Sequence, residues 1–168
     1  MATVHLISGL PGAGKSTYAQ QLHLRTGAVV FTLDRFLLTM FGRYHVPDVG
    51  GEEHVRRVLA CREVIWMAAE QLLVLGSDVI LDDGYFLREH RRKVVDAAVP
   101  LGASVKIHFI DTPLDEIRRR LMDRNQNLPV FNFAIEPETL QGCIRLLETP
   151  SDADGGEVVV VEGGGPNV

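Results

Sequence analysis

Nine residues near the start of the chain, Gly9-Leu10-Pro11-Gly12-Ala13-Gly14-Lys15-Ser16-Thr17, restrict the fold more than any other stretch. They fit the pattern G-x-x-x-x-G-K-[ST] at every fixed position. The apolar run Val4-His5-Leu6-Ile7 before them reads as a buried strand, and Tyr18-Ala19-Gln20-Gln21-Leu22 after them as helix. A strand, a glycine-rich bend and a helix in that order form a cradle for a chain of phosphates. Glycine at 9, 12 and 14 lets the backbone curl so that successive N–H groups point inward. The helix start adds unpaired N–H groups and the positive end of its dipole. Lys15 has the reach for terminal phosphates, and Ser16 carries a hydroxyl suited to Mg²⁺. A plain glycine turn would leave Lys15-Ser16 and their flanks unexplained.

The chain has 168 residues, which suits a single domain over 1–168, and 46% of them are hydrophobic, enough for one sizeable core. A net charge of −5 argues against a surface built to hold nucleic-acid backbone, although a local basic patch stays open. Cys61 and Cys143 stand alone in helical patterns without metal-ligand spacing and read as reduced core or half-core residues. No basic leader and no spanning apolar run is legible, so a cytoplasmic protein with no membrane partner is expected, as monomer or homodimer.

Short β-branched runs alternate with longer helical periods, the pattern of βαβ units around a parallel sheet. Strands are expected at Thr3–Ser8, Ala28–Leu33, Asp78–Asp82, Ser104–Ile110 and Glu157–Val161, each apolar enough to be covered on both faces. Helices are expected at Lys15–Thr26, Glu52–Leu75, Arg88–Val99, Pro113–Asn125 and Pro137–Leu147. Gly76 reads as a helix stop and Pro113 as a first-turn residue. Gly42–Gly51 reads as a mobile loop, and Gly163-Gly164-Gly165-Pro166 as a frayed tail.

Several residues could carry chemistry. Asp34 follows the second strand, where carboxyl ends of parallel strands line a ligand crevice. It reads either as a base for an attacking hydroxyl or as the N-cap of a helix starting at Arg35. Asp82 closes Asp78-Val79-Ile80-Leu81, a run resembling a Walker B strand, and suits the Mg²⁺ shell. Asp83 beside it reads as substrate contact or as turn chemistry with Gly84. Arg120 and Arg124, four residues apart, share a helix face and could clamp a transferring phosphoryl group, or could pair with Asp115, Glu116 and Asp123. Arg118 and Arg119 read as surface residues, and Ile117 and Leu121 as a buried face. The cluster Arg88, Arg91 and Arg92 reads as an outer charged face or as an anion contact. No histidine has a partner by spacing, and His108 reads as a satisfied core group.

Taken together, GLPGAGKST, Leu33-Asp34-Arg35, VILDDGYFLREHR (Val79–Arg91), RRRLMDRN (Arg118–Asn125) and Ile135-Glu136-Pro137-Glu138-Thr139-Leu140 resemble the small P-loop kinases of the AAA-domain type. Polynucleotide-kinase-like, zeta-toxin-like and chloramphenicol-phosphotransferase-like proteins belong to that circle. The likeness covers nearly the whole chain and departs at Leu147-Glu148-Thr149-Pro150, where such kinases carry an aromatic residue and a Pro-Pro pair. The resemblance implies a three-layer α/β P-loop NTPase of nucleoside-kinase type, with a five-stranded parallel sheet and a small helical lid near 115–135. It implies ATP and Mg²⁺, held by Gly9, Gly12, Ala13, Gly14, Lys15, Ser16 and Thr17, with Ser16 and Asp82 at the metal. It further implies Lys15, Asp34, Arg120 and Arg124 as catalytic residues and Asp34, Arg35 and Asp83 as substrate contacts. Adenine is expected near the loop after Val158–Val161. The implied reaction is phosphoryl transfer from ATP to a hydroxyl of a small-molecule acceptor. A nucleic-acid 5′-hydroxyl is the second acceptor class. A nucleotide switch is the third reading, and the chain lacks the Asn-Lys-x-Asp of guanine switches.

Overall fold

The computed structural model describes residues 1–163. Its strands are β1 (Thr3–Ser8), β2 (Val29–Thr32), β3 (Val79–Asp82), β4 (Ser104–Asp111) and β5 (Glu157–Glu162). Its helices are α1 (Lys15–Thr26), α2 (Leu33–Phe41), α3 (Val46–Val49), α4 (Gly51–Val74), α5 (Arg88–Ala98), α6 (Leu114–Gln126) and α7 (Pro137–Leu146). The strands form one parallel sheet in the order β2-β3-β1-β4-β5. The chain winds first to one side of β1 and then to the other. At such a reversal two crossovers diverge and leave a crevice at the carboxyl ends of the strands. That crevice is where β1 runs into the glycine-rich loop.

Side chains alternate between the two faces of each strand. Val4, Leu6, Val79, Leu81, Val105 and Ile107 face one core with Leu37 of α2, Ile65 of α4 and Val95 of α5. Ile7, Ile80 and Ile110 face the other with Leu22 of α1, Ile117 of α6 and Leu140 of α7. Helices therefore cover both faces, giving the expected three-layer α/β architecture. The expectation that every strand is covered on both faces holds only for the three central ones. On the edge strands Val29 is 38% and Val160 63% exposed, because an edge strand has one neighbour and less helix above it.

Two helices were not among the five expected. α2 starts at Leu33, so Asp34 sits in its first turn rather than at a strand end, and the cap position belongs to Thr32, whose side chain makes no capping bond. Asp34 is therefore not an N-cap. The segment Gly42–Gly51 is not a plain loop: Pro47 opens the single turn α3, and Gly51 already begins α4. Pro113 is the cap residue of α6 rather than its first turn. Gly76 ends α4 as expected, with φ +81° and its N–H on the Leu73 carbonyl at 2.9 Å. Gly163 is not frayed. It is buried and donates to the Asp111 carbonyl at 2.7 Å, while 164–166 of the expected tail lie outside the described residues. Both cysteines are free thiols. Among the described residues no helix is long and apolar enough to cross a membrane.

His45 does meet Asp48, three residues on, at 3.2 Å, but the buried histidines were invisible to spacing because their partners are far apart in sequence. His5 Nδ1 meets His108 Nε2 at 2.9 Å, and His108 Nδ1 meets the Tyr18 hydroxyl at 2.9 Å. Burial, reinforced by nearby His5, Lys106 and Arg25, holds His108 down to about 4 from its ordinary 6.5. An NMR titration is expected to show the His108 ring unchanged near pH 6.5 and protonating only near pH 4. Protonation of His108 near pH 6.5 would mean that this buried chain opens in solution.

Candidate active site

The loop that leaves β1 is shaped by three left-handed glycines. Gly9 has φ +146°, its N–H donates to the Gly84 carbonyl at 3.2 Å, and a Cβ there would lie 2.9 Å from the Ile110 carbonyl oxygen. Gly12 has φ +81°, and a Cβ would press on Leu121 Cγ at 2.8 Å. Gly14, at φ +103°, is the cap residue of α1, which has no side-chain cap, so the first-turn N–H groups stay available to a ligand. Gly12, Gly14, Lys15, Ser16 and Thr17 line a cleft of about 1250 Å³. That volume exceeds the roughly 300–1,000 Å³ of an ordinary ligand pocket and has room for two molecules. Gly9 and Ala13 do not line it. The Ala13 methyl is buried in the core, its N–H donates to the Leu10 carbonyl at 3.1 Å, and its own carbonyl accepts Thr112 Oγ1 at 2.8 Å and Arg120 Nη1 at 3.3 Å. These two residues set the shape of the loop while the others face the ligand space.

Lys15 Nζ donates to the Leu10 carbonyl at 2.9 Å. Burial lowers its pKa, and the carboxylates of Asp82, Asp34 and Asp83 oppose that shift. Asp82, at the end of β3, is 4% exposed, and its Oδ2 has no hydrogen-bond partner. Burial raises its pKa, while Lys15 and the Ser16 and Thr32 hydroxyls favour the charged form. An orphaned carboxylate oxygen beside an exposed serine hydroxyl fits Mg²⁺, which takes one or two protein oxygens and completes its shell with water and phosphate. Among the described residues no group of three or more His, Cys, Asp or Glu forms a self-contained metal cage.

Asp34 lines the same cleft, with its pKa raised from 3.8 to about 6. Burial is the main cause. Asp83 and Asp82 add to it, and Lys15 and Arg124 oppose it. A carboxylate poised near neutral pH is suited to taking a proton from a hydroxyl. Asp83 also lines the cleft, but both of its oxygens are engaged, Oδ2 with Arg62 Nε at 2.6 Å and Oδ1 with the Gly84 N–H. Arg35 is not brought to the cleft: it is exposed, its guanidinium 5.2 Å from the Phe131 ring centroid. Arg120 and Arg124 both line the cleft. Arg120 also pairs with Glu116 at 2.7 Å, so clamp and ion-pair readings coexist in one side chain. Arg124 Nη2 donates to the Phe133 carbonyl at 3.2 Å, and its buried Nε has no partner. Arg118 and Arg119 are exposed and pair with Asp115, Glu116 and Asp123, as a solvated face should.

The basic cluster on α5 is not one face. Arg91 is fully buried, with Nε on Asp154 Oδ1 at 2.7 Å and Nη1 on the carbonyls of Tyr85 and Phe86 at 2.8 and 3.1 Å. It holds the chain after β3, where Tyr85 takes the left-handed value φ +42°, which is strained for an aromatic residue. The segment that departs from the expected Pro-Pro stretch serves the same loop. Glu148 donates its N–H to the Phe86 carbonyl at 2.8 Å and accepts the Arg88 N–H at 2.6 Å. Thr112, Arg62 and the Arg91–Asp154 pair escaped the sequence reading because each finds its partner across the fold. Thr112 offered one cue, its place just past a strand end at the crevice.

The fold is shared with solved structures of low identity. A sugar kinase from Janibacter sp. HTCC2649 superposes with a TM-score of 0.71 at 19% identity, covering 99% of this chain and 88% of that one. Kti12 of Chaetomium thermophilum, in complex with ADP-AlF3, gives 0.69 at 15% identity, covering 95% and 88%. A chain of the Pnkp1/Rnl/Hen1 RNA repair complex gives 0.67 at 22% identity, covering 87% of this chain and 44% of that one. No curated protein sequence matches this one. The glycine loop, the parallel order of the strands and the crevice are those of a P-loop kinase fold. Residues 4–138 match the model of the AAA domain, and the chain belongs to that family.

Proposed function

We propose that the chain transfers the γ-phosphoryl group of ATP to a hydroxyl of a small-molecule acceptor. The observation that carries the reading is the pairing, within one cleft, of the loop bearing Lys15 with Asp34, a carboxylate whose pKa stands at about 6. The first-turn N–H groups of α1 and the Lys15 ammonium bind the phosphate chain, Lys15 exchanging the Leu10 carbonyl for phosphate oxygen. Ser16 and Asp82 would hold Mg²⁺, which when bound offsets the negative charge of the phosphate oxygens. Asp34 orients the acceptor hydroxyl and takes its proton as the new O–P bond forms. The bond from the γ-phosphorus to the β–γ bridging oxygen breaks, and ADP leaves. Arg120 and Arg124 neutralise charge on the group in flight. Asp83, held by Arg62, borders the acceptor side. The part of the expected 115–135 lid that follows α6 closes over the reactants and keeps water from taking the phosphoryl group. The expected adenine contact beyond β5 falls largely outside the described residues.

A nucleic-acid 5′-hydroxyl is the second acceptor class. It draws on the structural likeness to a chain of the RNA repair complex. The basic cluster that supported it is weakened, because Arg91 is buried and Arg92 donates to the Ala153 carbonyl at 3.3 Å. Titration calorimetry with Lys15→Met tests the nucleotide half of the reading. The loss of a charged hydrogen bond to phosphate is expected to weaken Mg-ATP uptake by about ten- to a hundredfold. An unchanged affinity would remove the phosphate loop from the account.

A further inference from the structure

We infer that the acceptor hydroxyl is carried on an apolar, ring-bearing body, an aryl alcohol rather than a sugar or a nucleic-acid end; this rests on the phosphotransfer reading above. The acceptor side of the cleft has α4 as one wall. His54, Val55, Val58, Leu59 and Arg62 line it at helical spacing, so one face of the helix is turned to the ligand space. Val55 is 54% and Leu59 48% exposed. They sit inside a concavity, where an apolar ligand surface would cover them.

The neighbouring wall is aromatic. Tyr44 and Phe133 meet edge-on with ring centroids 5.1 Å apart, and His54 meets Phe133 at 6.2 Å. Arg124, on the Phe133 carbonyl at 3.2 Å, links this ring cluster to the phosphoryl side of the cleft.

The polar groups of these walls are occupied with one another. The Tyr44 hydroxyl meets His54 Nδ1 at 3.0 Å. Arg62 binds Asp83 at 2.6 Å and His90 Nδ1 at 3.0 Å. Arg43 donates to the Pro129 and Val130 carbonyls, each at 3.1 Å. A sugar carries a hydroxyl on nearly every carbon, and each one buried against these two walls would need a partner taken from these bonds or from Asn132, Glu136 and Thr139, further polar side chains of the cleft. A nucleic-acid end needs free cations along its phosphates, and Arg43 and Arg62 are engaged. An aryl alcohol needs one polar contact, its hydroxyl on Asp34, and satisfies the rest ring against ring and ring against Val55 and Leu59.

The test measures ADP release by the full chain with Mg-ATP and three acceptor sets: aryl alcohols (2-phenylethanol, 4-nitrobenzyl alcohol), polyols (glucose, gluconate) and a short 5′-hydroxyl oligonucleotide. Mass spectrometry identifies the phosphorylated product. The expected result is at least tenfold stimulation by an aryl alcohol, with polyols and oligonucleotide at the no-acceptor rate. In Leu59→Glu the KM for that alcohol is expected to rise at least tenfold, and uptake of a non-hydrolysable ATP analogue shows that the variant is folded. Stimulation by a polyol or the oligonucleotide alone overturns the acceptor class and leaves the phosphotransfer reading standing. Bound ATP analogue with no stimulation by the aryl alcohols, or an unchanged KM in Leu59→Glu, likewise overturns it. Failure to take up the ATP analogue at all overturns the underlying reading instead.

Discussion

Asp34→Asn is expected to lower phosphoryl transfer by about 10²–10⁴-fold, the range associated with a positioned general base, while Mg-ATP still binds. The variant keeps the shape and removes the proton acceptor. It also removes a negative charge that faces Lys15, so nucleotide affinity has no reason to fall. In the wild type the carboxylate must be deprotonated to act. With its pKa at about 6, kcat/KM is expected to fall about tenfold per pH unit below that value, and the Asn variant is expected to lose this dependence.

The same residue has an opposite effect on stability. Its ordinary value is 3.8 and its folded value about 6, so the folded chain binds the proton more tightly than the unfolded one. Stability from this group is complete below pH 3.8, declines as pH rises through that window and is gone above about 6. A shift of this size corresponds to about 3 kcal/mol at neutral pH. Removing the charge in Asp34→Asn is therefore expected to raise the thermal midpoint at pH 7 by about 6–12 °C. An inactive variant with a lowered midpoint would mark Asp34 as a structural carboxylate; one with full activity would remove it from the chemistry.

Arg91→Met is the second large effect. Arg91 and Asp154 are both 0% exposed, and deleting one leaves the other as an uncompensated buried charge. The expected loss is about 3–5 kcal/mol, a drop in thermal midpoint on the order of 10 °C. The carbonyls of Tyr85 and Phe86 lose their donor at the same time, which frees the strained turn that follows Asp82 and Asp83. Replacing both partners, Arg91→Met with Asp154→Leu, is expected to recover most of the loss. It cannot recover all, because Asp154 Oδ2 also accepts the Ser151 N–H at 2.7 Å. A single variant as stable as the wild type in thermal denaturation would show that the pair contributes nothing to folding.

What could be read from the sequence follows a physical division. The five strands, the parallel pairing and the phosphate loop were legible because each is written in local pattern: apolar runs of strand length, helical periods, glycines at fixed offsets. α2 was not among the expected helices and entered only as the alternative that starts at Arg35, because Thr32-Leu33-Asp34 satisfies both a strand end and a helix start; the packing of Leu33 and Leu37 decides between them. For the candidate site, Lys15 and Ser16 could be found from the glycine pattern, and Asp34 and Asp82 from their places just past β2 and at the end of β3. Arg35 was grouped with them through the resemblance carried by Leu33-Asp34-Arg35, and one helical step carries its side chain away from Asp34. Arg91 was hidden for the converse reason. Three arginines in five residues look alike on paper, and only the arrival of Asp154, far along the chain, takes one of them into the interior.

The grip of Thr112 and Arg120 on the Ala13 carbonyl, with Leu121 lodged against Gly12, has a mechanical implication. α6 is bolted to the floor of the nucleotide seat, so in the proposed mechanism the part of the 115–135 lid free to close would begin only past Gln126. Arg124 on the Phe133 carbonyl and Asn125 on the backbone of Ile135 tie that segment back to the same helix. A lid that closes in this way would share one coupling factor with nucleotide arrival, and loosening the bolt is expected to weaken both together.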